Sequence, residues 1–178
     1  MNKQKCIILI DGSNFYFKLK DLKLNNLLSF DFSAFIKTLS GNDEIIDVVY
    51  YVGRVKTDGS SRSNRLLADQ QRLLVHLKQH SVRYCLGYLM KSDGKYHEKG
   101  VDVNIAVDIL VATYEKTCDR ILLISSDTDL LPAIMKARQK GIMVDYIGFL
   151  HKPSLALVAK CSHSKLLTKK DLSLSTKS

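Results

Sequence analysis

Carboxylates stand directly after two strongly apolar segments of the chain. The run CIILI, residues 6–10, ends at Asp11. The run ILLIS, residues 121–125, is followed by Asp127 and Asp129. One aspartate at the end of a strand is often a helix cap or a turn residue, but two of them two residues apart need a further reason. Such side chains provide the hard oxygen ligands that Mg²⁺ and Mn²⁺ prefer.

A third acidic segment lies between these two in the sequence. Residues 101–116, VDVNIAVDILVATYEK, have helical spacing, and Asp102 precedes Ile105 by three residues and Ile109 by seven. This spacing predicts that Asp102 belongs to the inward-facing stripe of the helix. Asp108 lies about 120° around the helix from Asp102, so both side chains cannot point at one ion. We expect Asp108 to support the site from outside its ligands or to form a salt bridge.

Apolar runs of strand length alternate along the chain with segments of helical spacing. Continuous Val, Ile and Leu runs are typical of strands that are covered on both faces. Their alternation with helices predicts an α/β fold, a three-layer α/β/α sandwich with a mostly parallel central sheet. The predicted strands are residues 6–10, 45–53, 82–89, 121–125 and 142–148, and the predicted helices are residues 31–40, 61–80, 101–116 and 129–141.

The carboxyl ends of parallel strands gather at one edge of a sheet, so the acids that follow them should converge there. Asp11, Asp102, Asp127 and Asp129 would then repel one another unless protons or a cation intervened. A bound Mg²⁺ or Mn²⁺ accounts for the whole arrangement, with these four aspartates as ligands and Ser126 beside them in a supporting position. One or two such cations can promote hydrolysis of a phosphodiester without a protein nucleophile.

Each of these residues also has a purely structural interpretation. Asp11 could begin a turn with Gly12, and Asp102 could be a first-turn acid favoured by the helix dipole. Asn14 and Asp129 could be helix caps. Asp127 has the weakest structural alternative of the set. Independent caps, however, have no reason to fall on the same edge of one sheet.

The chain is basic, with 27 Lys and Arg against 18 Asp and Glu and a formal net charge of +9. This excess favours a polyanionic partner, of which nucleic acid is the commonest. Two basic segments are predicted to follow strands and to rim the acidic edge, where they would hold phosphates; solvated loops with incidental charge are the alternative. The predicted nucleic-acid contacts are Arg54, Lys56, Arg62 and Arg65 in GRVKTDGSSRSNR, and Lys95 and Lys99 in MKSDGKYHEKG.

Aromatic residues near these segments could stack on unpaired bases. Phe15, Tyr16 and Phe17 follow the first acidic position closely, and Tyr96 lies in the second basic segment. We expect Phe15 and Phe17 to pack in the core, and base stacking stays open for Tyr16 and Tyr96.

Other features of the sequence bound the class of protein. The four cysteines include no CxxC pair, so neither a zinc knuckle nor a disulfide framework is encoded. No apolar run is long enough for a signal peptide or a membrane span, and we expect a soluble, cytoplasmic protein without a membrane partner. Residues 1–167 are predicted to form a single domain, followed by a polar, flexible tail at residues 168–178.

Three segments of the chain resemble the NYN domain of the PIN-like nuclease superfamily, in particular its bacterial LabA-like branch. They are ILIDGSNFY (8–16), KGVDVNIAVDIL (99–110) and LLISSDTDLLPAIMKARQKGIMVDYIG (122–148), in the family's order and spacing. The resemblance runs from about residue 5 to residue 167.

This resemblance implies a PIN-like three-layer sandwich and a Mg²⁺- or Mn²⁺-dependent ribonuclease site. The family's acidic pocket corresponds to Asp11, Asp102, Asp127 and Asp129, with Asn14 lining it, and Asp108 matches a position that is commonly acidic in the branch. The segment SSDTDL departs from the more usual SGDSDF but keeps both carboxylates. The leading hypothesis is a metal-dependent nuclease that hydrolyses RNA. The alternative is an RNA-binding regulatory module with the same fold and little or no catalytic activity.

Overall fold

The computed structural model describes residues 3–24, 26–92, 95–173 and 175–176, and for residues 89, 91, 92 and 95–98 it describes the backbone alone. The strands are β1 (Lys5–Asp11), β2 (Glu44–Val52), β3 (Arg83–Leu86), β4 (Tyr88–Ser92), β5 (Lys95–Lys99), β6 (Arg120–Ile124), β7 (Met143–Phe149) and β8 (His163–Leu167). The helices are α1 (Gly12–Asp21), α2 (Phe32–Ser40), α3 (Ser61–Gln79), α4 (Val101–Glu115), α5 (Leu131–Gln139), α6 (Leu155–Lys160) and α7 (Lys169–Ser173).

Six of the strands form one parallel sheet in the order β3-β2-β1-β6-β7-β8. Side chains of β1 alternate between the two faces, as the pleat of a strand requires. Ile8 and Ile10 pack with residues of α1, α2, α3 and α7, whereas Ile7 and Leu9 pack with residues of α4, α5 and α6. Helices therefore cover both faces of the sheet, which confirms the predicted three-layer α/β/α sandwich.

The strand order reverses direction at β1. The chain continues from β1 to β2 on one side of the sheet, and β6 pairs with β1 on the other side. Connections that leave in opposite directions open a crevice beyond the carboxyl ends of the two strands. The fold thus places a cleft between the end of β1, where Asp11 lies, and the end of β6, where Ser125 begins the next segment.

The strand predicted at residues 82–89 is interrupted at Gly87. A Cβ atom at this position would lie 2.7 Å from the Cγ2 atom of Val101 and 2.9 Å from the carbonyl oxygen of Lys99. The chain leaves the sheet at this close approach and forms the antiparallel hairpin of β4 and β5. The second basic segment, predicted as a loop, is therefore largely a hairpin. The elements α6 and β8 were not predicted either, because they are short and most of β8 is exposed.

Part of the segment predicted as a flexible tail, residues 168–178, has regular structure among the described residues. Residues 169–173 form α7, and the side chain of Leu172 is fully buried in the core on the α1 side of the sheet. The backbone N–H of Asp31 donates a hydrogen bond of 2.6 Å to the carbonyl of Ser175. The buried side chain of Leu172 thus connects a largely polar stretch to the core, and the flexible tail at residues 168–178 stays a prediction. Among the described residues, no helix is long and apolar enough to cross a membrane.

Candidate metal and nucleic-acid site

Asp11 is the last residue of β1 and also the N-cap of α1. Its Oδ1 atom accepts a hydrogen bond of 3.0 Å from the backbone N–H of Asn14, and its Oδ2 atom accepts one of 2.8 Å from the Ser125 hydroxyl. The carboxylate is only 5% exposed. Burial raises the pKa of Asp11, and the charge of Asp127 adds to this effect, while the two hydrogen bonds oppose it. Asp11 is thus a buried acid whose ionised form needs stabilisation by its surroundings.

Asp127 caps the single 3-10 turn Thr128–Leu130 that precedes α5. Its Oδ1 atom accepts a hydrogen bond of 2.9 Å from the backbone N–H of Asp129. The sequence favoured Asp129 as a helix cap and gave Asp127 the weaker structural alternative. In the structure Asp127 is the cap, and Asp129 lies inside the capped turn. Asp129 itself is exposed. The capping bond engages one oxygen of Asp127.

Asp102 lies in the first turn of α4, directly after Gly100, whose φ of 86° is left-handed. Its side chain is exposed, whereas Ile105 and Ile109 are fully buried. The prediction that Asp102 belongs to the inward-facing stripe was therefore wrong. Partial burial raises the pKa of Asp102 most, followed by the charges of Asp127, Asp11 and Asp129. All four aspartates thus interact electrostatically, although they come from three separate parts of the sequence.

Three of these acids line one cavity of about 610 Å³, which we call the acidic cavity. It lies at the crevice beyond β1 and β6, and Asp129 is not among its lining residues. Lys99 is exposed and lies on its wall. The lining residues are Asp11, Ser13, Asn14, Phe17, Lys99, Gly100, Val101, Asp102, Val103 and Asp127.

The acids of this cavity differ from the buried acid at the other end of the sheet. Asp145, only 2% exposed, is paired with Arg120 at 2.5 Å and with the Nδ1 atom of His163 at 2.9 Å. In the described part of the chain, no such ion pair reaches Asp11, Asp102, Asp127 or Asp129. These four aspartates therefore lack a close ion pair with a described basic side chain, although Lys99 lies on the wall of the acidic cavity.

The donor set of the acidic cavity fits a hard divalent cation. Carboxylate oxygens predominate, and the Asn14 side chain is another oxygen donor type. Burial, and to a smaller extent the charges of neighbouring aspartates, raises the pKa values of Asp11 and Asp102, and a bound cation would offset both effects. Among the residues that the structure describes, however, no group of three or more His, Cys, Asp or Glu side chains is already drawn together as a metal site. The cavity has the charge and the donors but not a closed shell of ligands.

The two predicted supporting residues lie away from this cavity wall. Asp108 accepts a hydrogen bond of 2.5 Å from the hydroxyl of Tyr51, on the side of α4 that faces Arg83. The Ser126 hydroxyl lies 3.3 Å from that of Tyr146. Ser125, which was not predicted as a site residue, carries the hydroxyl that donates a hydrogen bond to Asp11. Its only signal in the sequence is that it is the polar residue at the end of the predicted strand at residues 121–125, directly after the last residue of β6.

The predicted nucleic-acid contacts lie on several elements of the structure. Arg54 and Lys56 are exposed in the segment after β2, and Arg62 and Arg65 are exposed in the first turns of α3. Lys99 is the one that lines the acidic cavity. Lys95 is the first residue of β5, and its side chain lies outside the described part of the structure.

The aromatic residues of α1 take different positions. Phe15 is fully buried among Phe30, Phe35 and Phe149, which confirms its predicted role in packing. Phe17 is 60% exposed, so its predicted packing in the core was wrong. Two positions farther along a helix is about 200° around its axis, which turns Phe17 away from the core that Phe15 enters. Tyr16 is half-buried, and the side chain of Tyr96 lies outside the described residues.

Comparison with known proteins identifies a family and a solved structure of similar fold. The family model of the NYN domain matches residues 5–167 of the chain. The crystal structure of a protein of unknown function, VPA0982, from Vibrio parahaemolyticus RIMD 2210633 is similar in fold, with a TM-score of 0.69 and 21% sequence identity over 96% of each chain. A search of curated proteins found no significant match.

Proposed function

Because this chain belongs to the NYN domain family, which is part of the PIN-like nuclease superfamily, we propose that it is a metal-dependent ribonuclease. Family membership suggests nuclease activity in general. The proposal adds RNA as the substrate, Mg²⁺ or Mn²⁺ as the cofactor, and Asp11, Asp102, Asp127 and Asp129 as the ligands. It also keeps the finer assignment to the LabA-like branch, which rests on the three sequence segments.

One observation carries the proposal. Three carboxylates from distant parts of the sequence line one cavity at the reversal of strand order; burial raises the pKa values of Asp11 and Asp102 most, and the charges of neighbouring aspartates raise them further. Such repulsion costs stability unless binding of a cation offsets it. A protein that only bound phosphates would be served better by fewer acids at this position.

The chain's own residues have distinct roles in this proposal. Asp11 and Asp127 approach from the ends of β1 and β6, and Asp102 faces them from the first turn of α4. Asp129 joins them as the fourth ligand and Asn14 lines the cavity. A bound Mg²⁺ or Mn²⁺ would polarise the phosphodiester and lower the pKa of the attacking water. Lys99, on the same wall, is placed to hold a substrate phosphate.

The basic side chains around the cleft would hold the flanking phosphates. Arg54 and Lys56 lie after β2, and Arg62 and Arg65 lie at the start of α3. We include Lys95 of the β4–β5 hairpin in this set. The net charge of +9 supports a polyanionic substrate, because each neutralised phosphate releases counterions.

The test is RNA cleavage with and without metal. Purified protein is incubated with labelled single-stranded and structured RNA in Mg²⁺, in Mn²⁺ or in chelator, together with Asp127→Asn. Asparagine keeps an oxygen that can cap the 3-10 turn but removes the charge. We expect cleavage in metal only, and a loss of more than about 100-fold in the variant, because several kcal/mol of charge stabilisation are removed.

The matched control is Glu115→Gln, which removes an exposed charge at the end of α4, outside the acidic cavity. It should cut RNA like the wild type, and circular dichroism should show that both variants are folded. Cleavage that persists in chelator or in Asp127→Asn would contradict the metal mechanism. RNA binding without cleavage in either metal would instead support the alternative, a regulatory module with this fold.

A further inference from the structure

A second cavity adjoins the acidic cavity, between α1 and α3. We call it the α1/α3 groove; its volume is about 520 Å³, within the range of small-molecule sites. Its surface is mainly apolar, with Tyr16, Phe17, Leu27, Val55, Leu66 and Leu73 among the lining residues. Ser13 and Phe17 line both cavities, so the groove and the acidic cavity share a wall.

Phe17 is the feature of this groove that packing does not explain. Its ring is 60% exposed, although α1 buries Phe15 and Leu19 completely. The ring of Tyr16 meets it edge to face, with 5.6 Å between the ring centroids. Leu66, on α3, is 51% exposed and lines the same groove. The groove therefore presents a large aromatic face to solvent beside other apolar surface, which is typical of binding sites.

The outer wall of the groove is held in place by hydrogen bonds. The Nε2 atom of Gln70 donates to the carbonyl of Gly53 at 2.6 Å, and the backbone N–H of Val55 donates to the Oε1 atom of Gln70 at 2.9 Å. These bonds fix residues 53–55 against α3. The side chain of Arg54, between the two anchored residues, is exposed. Arg65, which precedes Leu66, is exposed as well.

An apolar lining, an exposed aromatic ring and exposed arginines next in sequence to the lining residues Val55 and Leu66 together match one chemical class. A nucleotide has a flat aromatic base and an anionic phosphate, and unpaired bases stack on aromatic side chains. Continuity with the acidic cavity suits an RNA strand, because the strand runs from a base in the groove to a phosphate at the proposed metal site. In a duplex the bases are already stacked and are not available to Phe17.

Building on the ribonuclease function proposed above, we propose that the α1/α3 groove binds one unstacked base of single-stranded RNA against Phe17. The phosphate next to this base enters the acidic cavity across the shared wall. The groove thus selects single-stranded over double-stranded RNA and sets the position of the strand at the site of cleavage.

Binding measured in chelator tests this proposal separately from catalysis. The probe is a 5′-labelled oligouridylate, read by fluorescence anisotropy, and the variants are Phe17→Ala, Phe17→Tyr and the control Tyr114→Ala. Tyr114 is an exposed aromatic of α4 that lines neither cavity. We expect Phe17→Ala to weaken binding by about 5- to 150-fold, the range for loss of one stacked base. Phe17→Tyr and Tyr114→Ala should stay within about twofold of the wild type.

An oligomer of abasic nucleotides and a duplex of matched sequence separate stacking from charge. Phe17→Ala should leave the affinity for both probes unchanged. If Phe17→Ala loses as much affinity for the abasic probe as for oligouridylate, the proposal is overturned. It is also overturned if Phe17→Ala changes the sedimentation mass but not the RNA affinity, because a second copy of the chain then occupies the groove. If the wild type cleaves RNA and Phe17→Ala binds oligouridylate normally, the groove proposal fails and the nuclease proposal stands. If Phe17→Ala binds oligouridylate poorly but the wild type never cleaves RNA, the groove proposal stands and the nuclease proposal fails.

Discussion

Ser125 connects two of the candidate metal ligands through a single hydroxyl group. It donates a hydrogen bond of 2.8 Å to Asp11 and accepts one of 3.1 Å from the backbone N–H of Asp127. The residue is only 1% exposed. Its donation lowers the pKa of Asp11, against the rise caused mainly by burial and further by the charge of Asp127. Ser125 therefore both favours the ionised form of Asp11 and positions the segment that carries Asp127.

Substitution of Ser125 should affect stability and activity together. We expect Ser125→Ala to lower the free energy of unfolding by about 1–3 kcal/mol, because a buried carboxylate loses a donor. Metal affinity or cleavage should fall by about 10- to 100-fold, as is typical of residues that orient metal ligands. The matched control is Ser126→Ala, whose hydroxyl contacts only Tyr146 among the described hydrogen bonds. Thermal unfolding and RNA cleavage measure the two effects, and equal losses in both variants would contradict this role.

At the scale of elements, α7 shows how side-chain hydrogen bonds support a helix in a largely polar segment. The backbone N–H and the hydroxyl of Thr168 donate to the Oδ2 atom of Asp171 at 2.8 and 2.7 Å, and the N–H of Asp171 donates back to the Thr168 hydroxyl at 3.3 Å. This reciprocal arrangement is a capping box at the start of the helix. The bonds from Thr168 lower the pKa of Asp171, and the charges of Lys165 and Lys170 contribute less.

The capping box predicts a dependence of stability on pH. Because the folded-state pKa of Asp171 lies below its usual value, its stabilisation is present above the usual aspartate pKa and is lost as pH falls through the folded-state pKa. At neutral pH, Asp171→Asn should lower the free energy of unfolding by about 0.5 kcal/mol, allowing for solvent screening of an exposed group. Urea unfolding of both proteins should show this difference shrinking in acid. A difference of constant size would show that the charge is unimportant.

At the scale of the whole molecule, charge is separated between the cleft and its surroundings. The chain carries a net charge of +9, yet the acidic cavity collects three carboxylates. The basic residues nearest the α1/α3 groove lie after β2 and at the start of α3. Such an arrangement attracts a polyanion to the protein while it leaves the carboxylates available for metal.

This separation predicts how RNA binding depends on salt. The affinity for labelled oligouridylate should fall linearly on a double-logarithmic plot, and Arg54→Gln should reduce the slope by about 0.7, the value for one phosphate contact on a single strand. The control is Lys37→Gln. Lys37 lines a separate cavity with Ile45, near the start of β2. Asp11 pairs in the sheet with Tyr51, near the other end of the same strand, so Lys37 is remote from the acidic cavity. Equal changes in slope for both variants would indicate nonspecific attraction by net charge.

Local patterns in the sequence predicted the central strands of the sheet and the acids that follow two of them. Continuous apolar runs mark β1, β6 and β7 within one residue of their ends, because strands covered on both faces are mostly apolar. The exception inside β7 is Asp145, which is paired with Arg120 and His163. The acids at Asp11 and Asp127 follow those runs directly, so their position at the carboxyl edge is a consequence of parallel pairing.

Tertiary structure alone decided which way individual side chains point. The exposure of Asp102 and Phe17, the hydroxyl of Ser125 on Asp11 and the break of the strand at Gly87 all depend on residues distant in the sequence. Tyr50 illustrates the reason: an added Cβ at Gly12 would lie 2.3 Å from its ring, so the start of α1 is determined by β2. Hydrophobic periodicity depends on neighbours along the chain, whereas side-chain contacts depend on neighbours in space. Residues distant in the sequence come into contact only when the sheet has formed.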